Sequence, residues 1–166
     1  MPTSDPLTIS LAHNLWATEQ VLNACAALTP EQFQQRFEMG PGSLHRTLAH
    51  TLSAMALWTQ VLAGQQPGQR LEDDGQIRTP QELMVLLKKF SADFEAEARR
   101  LPLGDLVTRT RDGKTFQFTR GAVLMQVTTH AMHHRAQCLN MLRQLGVKPL
   151  PLSSVAEWTW SSDAKS

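Results

Sequence analysis

Residues 119–146 read TRGAVLMQVTTHAMHHRAQCLNMLRQLG, and the spacing within this stretch decides the fold. Val123, Val127, His130, His134, Cys138, Met141 and Leu145 recur at steps of four or three residues, the repeat of one inward-facing helical stripe. One long helix is therefore predicted over 119–146, with two imidazoles at core positions. At about 100° of rotation per residue, His130 and His134 lie roughly 40° apart and one turn apart along the axis, so both can reach one ion. His133 falls about 100° from His134, on the flank. Imidazoles in an apolar seam are costly without partners. His-x-x-x-His spacing alone also fits a surface pair or two core histidines that satisfy one another. A third histidine on a similar stripe, His50, favours a metal.

The chain outward from this helix has 166 residues, the range of one domain with one core, 1–166, with 147–166 as its tail. Sixteen Lys and Arg against fifteen Asp and Glu leave a net charge of +1 without a long basic run, which does not suggest nucleic acid. Cys25 and Cys138 lack Cys-x-x-Cys spacing and read as buried free thiols. The first ten residues, MPTSDPLTIS, lack the basic and apolar regions of a signal peptide, and no run approaches a membrane span. A soluble, cytoplasmic protein without membrane contact is expected.

From the amino terminus, LTISLAHNLWATEQVLNACAAL is helical, with Leu11, Leu15 and Leu22 on one side and Ile9, His13, Trp16 and Ala24 on another. Thr29-Pro30-Glu31-Gln32 offers a cap, a proline at N1 and Gln at N3, so a short helical turn starts there and ends before Gly40-Pro41-Gly42. A second long helix over 43–63 has Ser43 as its cap. Thr47, His50, Ala54, Leu57 and Val61 share one face; Leu44, Leu48, Met55 and Leu62 share the opposite one. His45 lies about 140° from His50, too far round to share an ion. GQQPGQRLEDDGQIR, 64–78, reads as a polar connecting loop.

Thr79-Pro80-Gln81-Glu82 then opens a third long helix to about Leu101, with Leu83, Leu87, Phe90, Phe94, Ala98 and Leu101 as its seam and Lys88, Lys89, Glu95, Arg99 and Arg100 on a solvated face. In DLVTRTRDGKTFQFTRG the period changes to two. Asp112-Gly113 between alternating runs predicts a β-hairpin, which must lie against the bundle to be stable. The tail from Lys148, with Pro149, Pro151, Trp158 and Trp160, reads as an extended segment on the surface. The fold class is all-α, a four-helix bundle with a small β-hairpin before the last long helix.

HAMHHRAQCLNMLRQLG, His130 to Gly146, resembles the H-x-x-HHRGQ-x-x-x-x-LR-x-x-G signature of the DinB-like family. His13-Asn14-Leu15-Trp16-Ala17 is similar to the family's Tyr-Asn-x-Trp-Ala motif with His for Tyr. GSLHRTLAHTLSAMALW resembles the second-helix motif that supplies the first metal histidine. The resemblance covers about Leu7 to Pro151 and implies His50, His130 and His134 as metal ligands. Beside them, His13 and Trp16 read as cavity lining or as part of the first helix's core or surface, and His133 as the layer behind the ligands or surface. Ala136 replaces the usual Gly, a change of packing. Ala54 stands where many relatives carry an acid, which removes a candidate proton acceptor.

Three neutral imidazoles suit a divalent transition metal, Zn or Ni foremost, rather than Mg or Ca, and leave a coordination position open. The resemblance further implies a homodimer and, for some members, a low-molecular-weight thiol as co-substrate. Three functions follow: a metal-dependent enzyme on a small-molecule substrate, of thiol S-transferase or hydrolase type; a non-catalytic metal-binding stress-response protein of this damage-inducible family; and a metal-free helical interaction module. No general base is visible, and no catalytic residue is assigned.

Overall fold

A computed structural model describes residues 5–163. Its first helix, α1 (Pro6–Cys25), starts at Asp5, whose carboxylate accepts from the Leu7 and Thr8 amides, with proline in the first turn. Its fully buried stripe is Leu11, Asn14, Ala17, Thr18, Val21, Leu22 and Cys25. An apolar pattern passes over Asn14 and Thr18, and Ile9, His13 and Trp16 are only half-buried. The short α2 (Pro30–Gln34) carries the expected capping box between Thr29 and Gln32.

The central helix is α3 (Leu44–Leu62), capped by the Ser43 hydroxyl, which accepts from the Arg46 amide. It packs on α4 (Pro80–Arg100) on one side and on α5 (Arg120–Gln144) on the other, while α1 packs on those same two helices from across the bundle. Being covered from several directions, α3 buries Leu44, Leu48, Leu52, Met55, Trp58 and Val61 together, on both faces. Each such side chain removed from water contributes about 1.5–3 kcal/mol. The bundle supplies the partner for the second apolar face.

The capping box of Thr79 and Glu82 starts α4, and Leu83, Leu87, Phe94 and Ala98 form its buried seam. Two expected members leave the seam: Phe90 is half-buried and Leu101 is 44 % exposed. Leu101 has extended backbone beyond the last helical turn, so the 3.6-residue repeat no longer aims it inward.

The hairpin forms as the alternation predicts, β1 (Leu106–Arg111) antiparallel to β2 (Lys114–Thr119), with Arg109 opposite Phe116 and Val107 opposite Phe118. Asp112 and Gly113 both take positive φ, 51° and 72°, the pair of left-handed residues a tight two-residue turn requires. The hairpin leans on α3 and α5, with the Phe118 ring edge-on to Trp58 at 5.3 Å.

Buried Arg120 opens α5 and donates to the Leu62 and Glu97 carbonyl oxygens, placing one guanidinium against the last turns of α3 and α4. Positive charge suits the carbonyl end of a helix. The tail departs from expectation. It folds into α6 (Val155–Asp163), and the Ser154 hydroxyl accepts from the Glu157 amide while the Glu157 carboxylate accepts from the Ser154 amide. Ser154-x-x-Glu157 is a capping box, and its chemistry outweighs the extended reading invited by Pro149 and Pro151. Among the described residues no helix is long and apolar enough to cross a membrane.

Candidate metal centre

α3 and α5 run side by side, and one turn of each brings His50, His130 and His134 to a common point. Their ligand-capable nitrogens all lie within 4.8 Å of one another, and no other described group of His, Cys, Asp or Glu makes such a set. The three Nε2 atoms face inward: His130 Nε2 is 3.2 Å from His50 Nε2 and 3.1 Å from His134 Nε2.

The outer nitrogens settle which of these atoms carry protons. His50 Nδ1 donates to the Glu72 carboxylate at 2.8 Å, and His134 Nδ1 donates to Gln137 Oε1 at 2.8 Å. Gln137 is itself oriented, because its amide nitrogen donates to His133 Nε2 at 3.1 Å. With their protons on Nδ1, neutral His50 and His134 both turn Nε2 lone pairs toward His130 Nε2. A single proton on His130 Nε2 cannot satisfy both well. A cation at the centre satisfies all three.

The spacing fits one. Two nitrogens about 2.05 Å from a tetrahedral zinc stand about 3.3 Å apart, and right-angled coordination brings them to about 2.9 Å. The observed 3.1 and 3.2 Å lie between these values.

Burial favours the neutral form of His130 and His134. Burial, followed by the proximity of His134 and His50, holds His130 down to about 4, well below an ordinary histidine. Burial also lowers His134, against the opposing hydrogen bond to Gln137. Neutral imidazole is the form that binds a metal. The Glu72 carboxyl lies below its ordinary value: burial would raise it, and the Ser53 hydroxyl, its own backbone amide and His50 together outweigh burial.

Glu72 was absent from the sequence-based candidates. It sits in a short 3-10 turn, Leu71–Asp73, within the 64–78 loop, and its side chain is only 7 % exposed. The loop is fastened to α3 at several places, beginning with Gly68 N, which donates to Gln60 Oε1. Leu71 N donates to Ser53 Oγ, Glu72 meets His50, and Arg78 N donates to His45 Nε2. His45 is thereby engaged away from the three histidines. Gly40, at φ 50°, belongs to the same support, because a Cβ there would run into the Gln137 side-chain amide.

The other named candidates divide. His133 is exposed and touches the centre only through Gln137 and its edge-on contact with His134, ring centres 5.0 Å apart. His13 and Trp16 are neighbours, 6.1 Å between rings, but His13 faces the tail. His13 Nε2 donates to the Ser153 carbonyl, and Trp158 lies 6.2 Å away. Arg135, next to the ligands in sequence, points to the opposite side of α5 and donates to Asn14 Oδ1 and Thr18 Oγ1.

The comparisons agree with this architecture. A DinB-like protein from Bacillus cereus superposes with a TM-score of 0.66 at 19 % identity, covering 88 % of this chain and 95 % of that one. A DinB-like protein from Bacillus subtilis gives 0.62 at 18 % identity, covering 89 % and 96 %. At such identities the likeness is one of fold. Curated proteins give no match. The DinB family profile matches residues 1–164, so the chain belongs to the DinB family.

Proposed function

We propose that His50, His130 and His134 hold a divalent transition metal, Zn or Ni foremost, and that the protein is a metal-dependent enzyme acting on a small molecule. The observation that carries this reading is the meeting of three inward Nε2 atoms, that of His130 at ligand separation from the other two, with His50 and His134 backed by acceptors on Nδ1. Glu72 behind His50 and Gln137 behind His134 match the way proteins orient metal-bound imidazoles and raise their basicity. Three nitrogen ligands leave a position for water or substrate, the arrangement of reactive rather than closed structural sites.

A metal bound there acidifies a water or thiol and polarises a substrate oxygen. The chain's own residues contribute orientation and charge. Glu72 holds the His50 proton on Nδ1, Gln137 does the same for His134, and the buried Glu72 carboxylate offsets charge gathered on the three rings. The thiol S-transferase and hydrolase classes both use such a site, and a low-molecular-weight thiol is the co-substrate proposed for the first.

Metal analysis of protein purified without a histidine tag tests the reading, with His130→Ala as control. About one equivalent of metal in the wild type and none in the variant is expected; a metal-free wild type that also ignores added Zn and Ni sinks it. For the thiol, Co- or Ni-loaded protein should develop a sulfur-to-metal charge-transfer band with low-molecular-weight thiols, and His134→Ala should not. A metal-loaded protein without turnover or thiol response is the non-catalytic binder.

A further inference from the structure

The hairpin turns an unexpected face to the bundle. Val107 and Arg109 on β1 and Phe118 on β2 are half-buried, whereas Leu106 on the opposite face is 62 % exposed. A strand that hides an arginine and exposes a leucine lacks a packing explanation on hydrophobic grounds alone.

Between this face and the groove of α3 and α5 lies a cavity of about 450 Å³, lined among others by Trp58, Arg109, Arg111, Phe116, Phe118 and Gln126. Arg109 stacks over the Trp58 ring at 5.1 Å, which fixes the guanidinium plane and leaves its N–H edge for an acceptor. The acid that acts on Arg109, Asp112, is already paired with Arg111. No described carboxylate lies within 4 Å of Arg109. Burial first, and then the charges of Arg111 and Arg70, lower the Arg109 guanidinium, with only Asp112 opposing them, so the cavity mouth is positive.

We infer that this cavity binds a small, flat apolar molecule bearing one carboxylate, its body between Trp58, Phe116 and Phe118 and its carboxylate on Arg109. The volume suits a small-molecule site, and an apolar wall with one planar cationic fork is the recognition such a ligand requires. The cavity lies along the same two helices as the histidines. Gln126 precedes His130 by one turn, roughly 6 Å of helix rise, and Trp58 follows His50 by eight residues, roughly 12 Å. Arg70 acts on both His130 and Arg109, which puts it near both. As a substrate site the inference rests on the metal reading; as a binding site it does not.

Calorimetry with naphthalene-2-carboxylate and its neutral carboxamide, on metal-free and on Zn-treated protein, separates the two. The carboxylate should bind at least tenfold more tightly than the carboxamide. Arg109→Gln should erase that preference, Arg109→Lys should retain part of it, and Phe116→Ala should weaken both ligands alike. Equal affinities, a preference that survives Arg109→Gln, or indifference to Phe116→Ala overturns the inference. Should the wild type bind no metal while the Arg109-dependent preference stands, the metal reading alone has failed. In Co-loaded protein the bound carboxylate's ring protons should relax faster than in His130→Ala; unchanged relaxation overturns the placement of this ligand beside the ion.

Discussion

Glu72 and Gln137 each accept one hydrogen bond from a histidine Nδ1, and those two contacts give the centre its directionality. His130 lacks such a backing partner among the hydrogen bonds of the described residues, and its proton affinity is the one most reduced. In the unfolded chain it protonates near the ordinary value of about 6.5; in the metal-free fold it does so only at about 4. Between these values the unfolded chain binds the extra proton, so stability is full above about pH 6.5 and falls as acid approaches 4. His134 shifts in the same direction. Urea midpoints of chelated protein should therefore drop between pH 7 and 4.5, less steeply in His130→Ala; a flat wild-type profile contradicts the neutral cluster. Gly40→Ala is expected to displace Gln137, freeing His134 to rotate, and to weaken metal binding about tenfold while leaving the bundle folded. Competition with a chromophoric chelator measures it, and unchanged affinity removes Gly40 from the support. The helical histidines were legible because periodicity assigns each a face. Glu72 was not: it comes from a loop without a period, and only its tertiary contact with His50 reveals it.

Among the elements, α5 works on two sides at once. One side presents histidines to α3, and the other sends Arg135, 3 % exposed, into α1. Burial lowers that guanidinium to about 10, so it stays charged at neutral pH and depends on Asn14 and Thr18 as acceptors. Asn14→Ala should cost roughly 2–4 kcal/mol by leaving the charge under-satisfied, and Asn14→Ala with Arg135→Met should recover part of it. Chemical unfolding of the four-member cycle decides this; additive losses would show the two side chains to be uncoupled. Helix starts were readable from capping boxes at Thr29 and Thr79, and the hairpin from Asp112-Gly113. The same rule applied at Ser154 would have found α6. Which hairpin face turns inward could not be read, because Val107 and Arg109 against Leu106 and Thr108 offer no clear apolar contrast.

At the scale of the molecule, the ring of α1, α4, α3 and α5 encloses one core, and a metal held at the α3–α5 contact would tie together parts of the chain about eighty residues apart. An ion that binds only the fold adds about 2.7 kcal/mol at a hundredfold excess over its Kd. For a chain of this size that is roughly 5–10 °C in Tm. Zn should raise the melting temperature by this order and His50→Ala should abolish the rise; a shift that persists in the variant places the ion elsewhere. The loop carrying Glu72 gives the centre an outward sign. Part of its hold on α3 runs through Glu72 and His50, so whatever fixes that ring also steadies 64–78, where Arg70 and Arg78 offer trypsin two cleavage points. Nicking at these bonds should slow several-fold when Zn is added and regain its speed in Glu72→Gln, so that a timed digest on a gel reads the occupancy of the histidines.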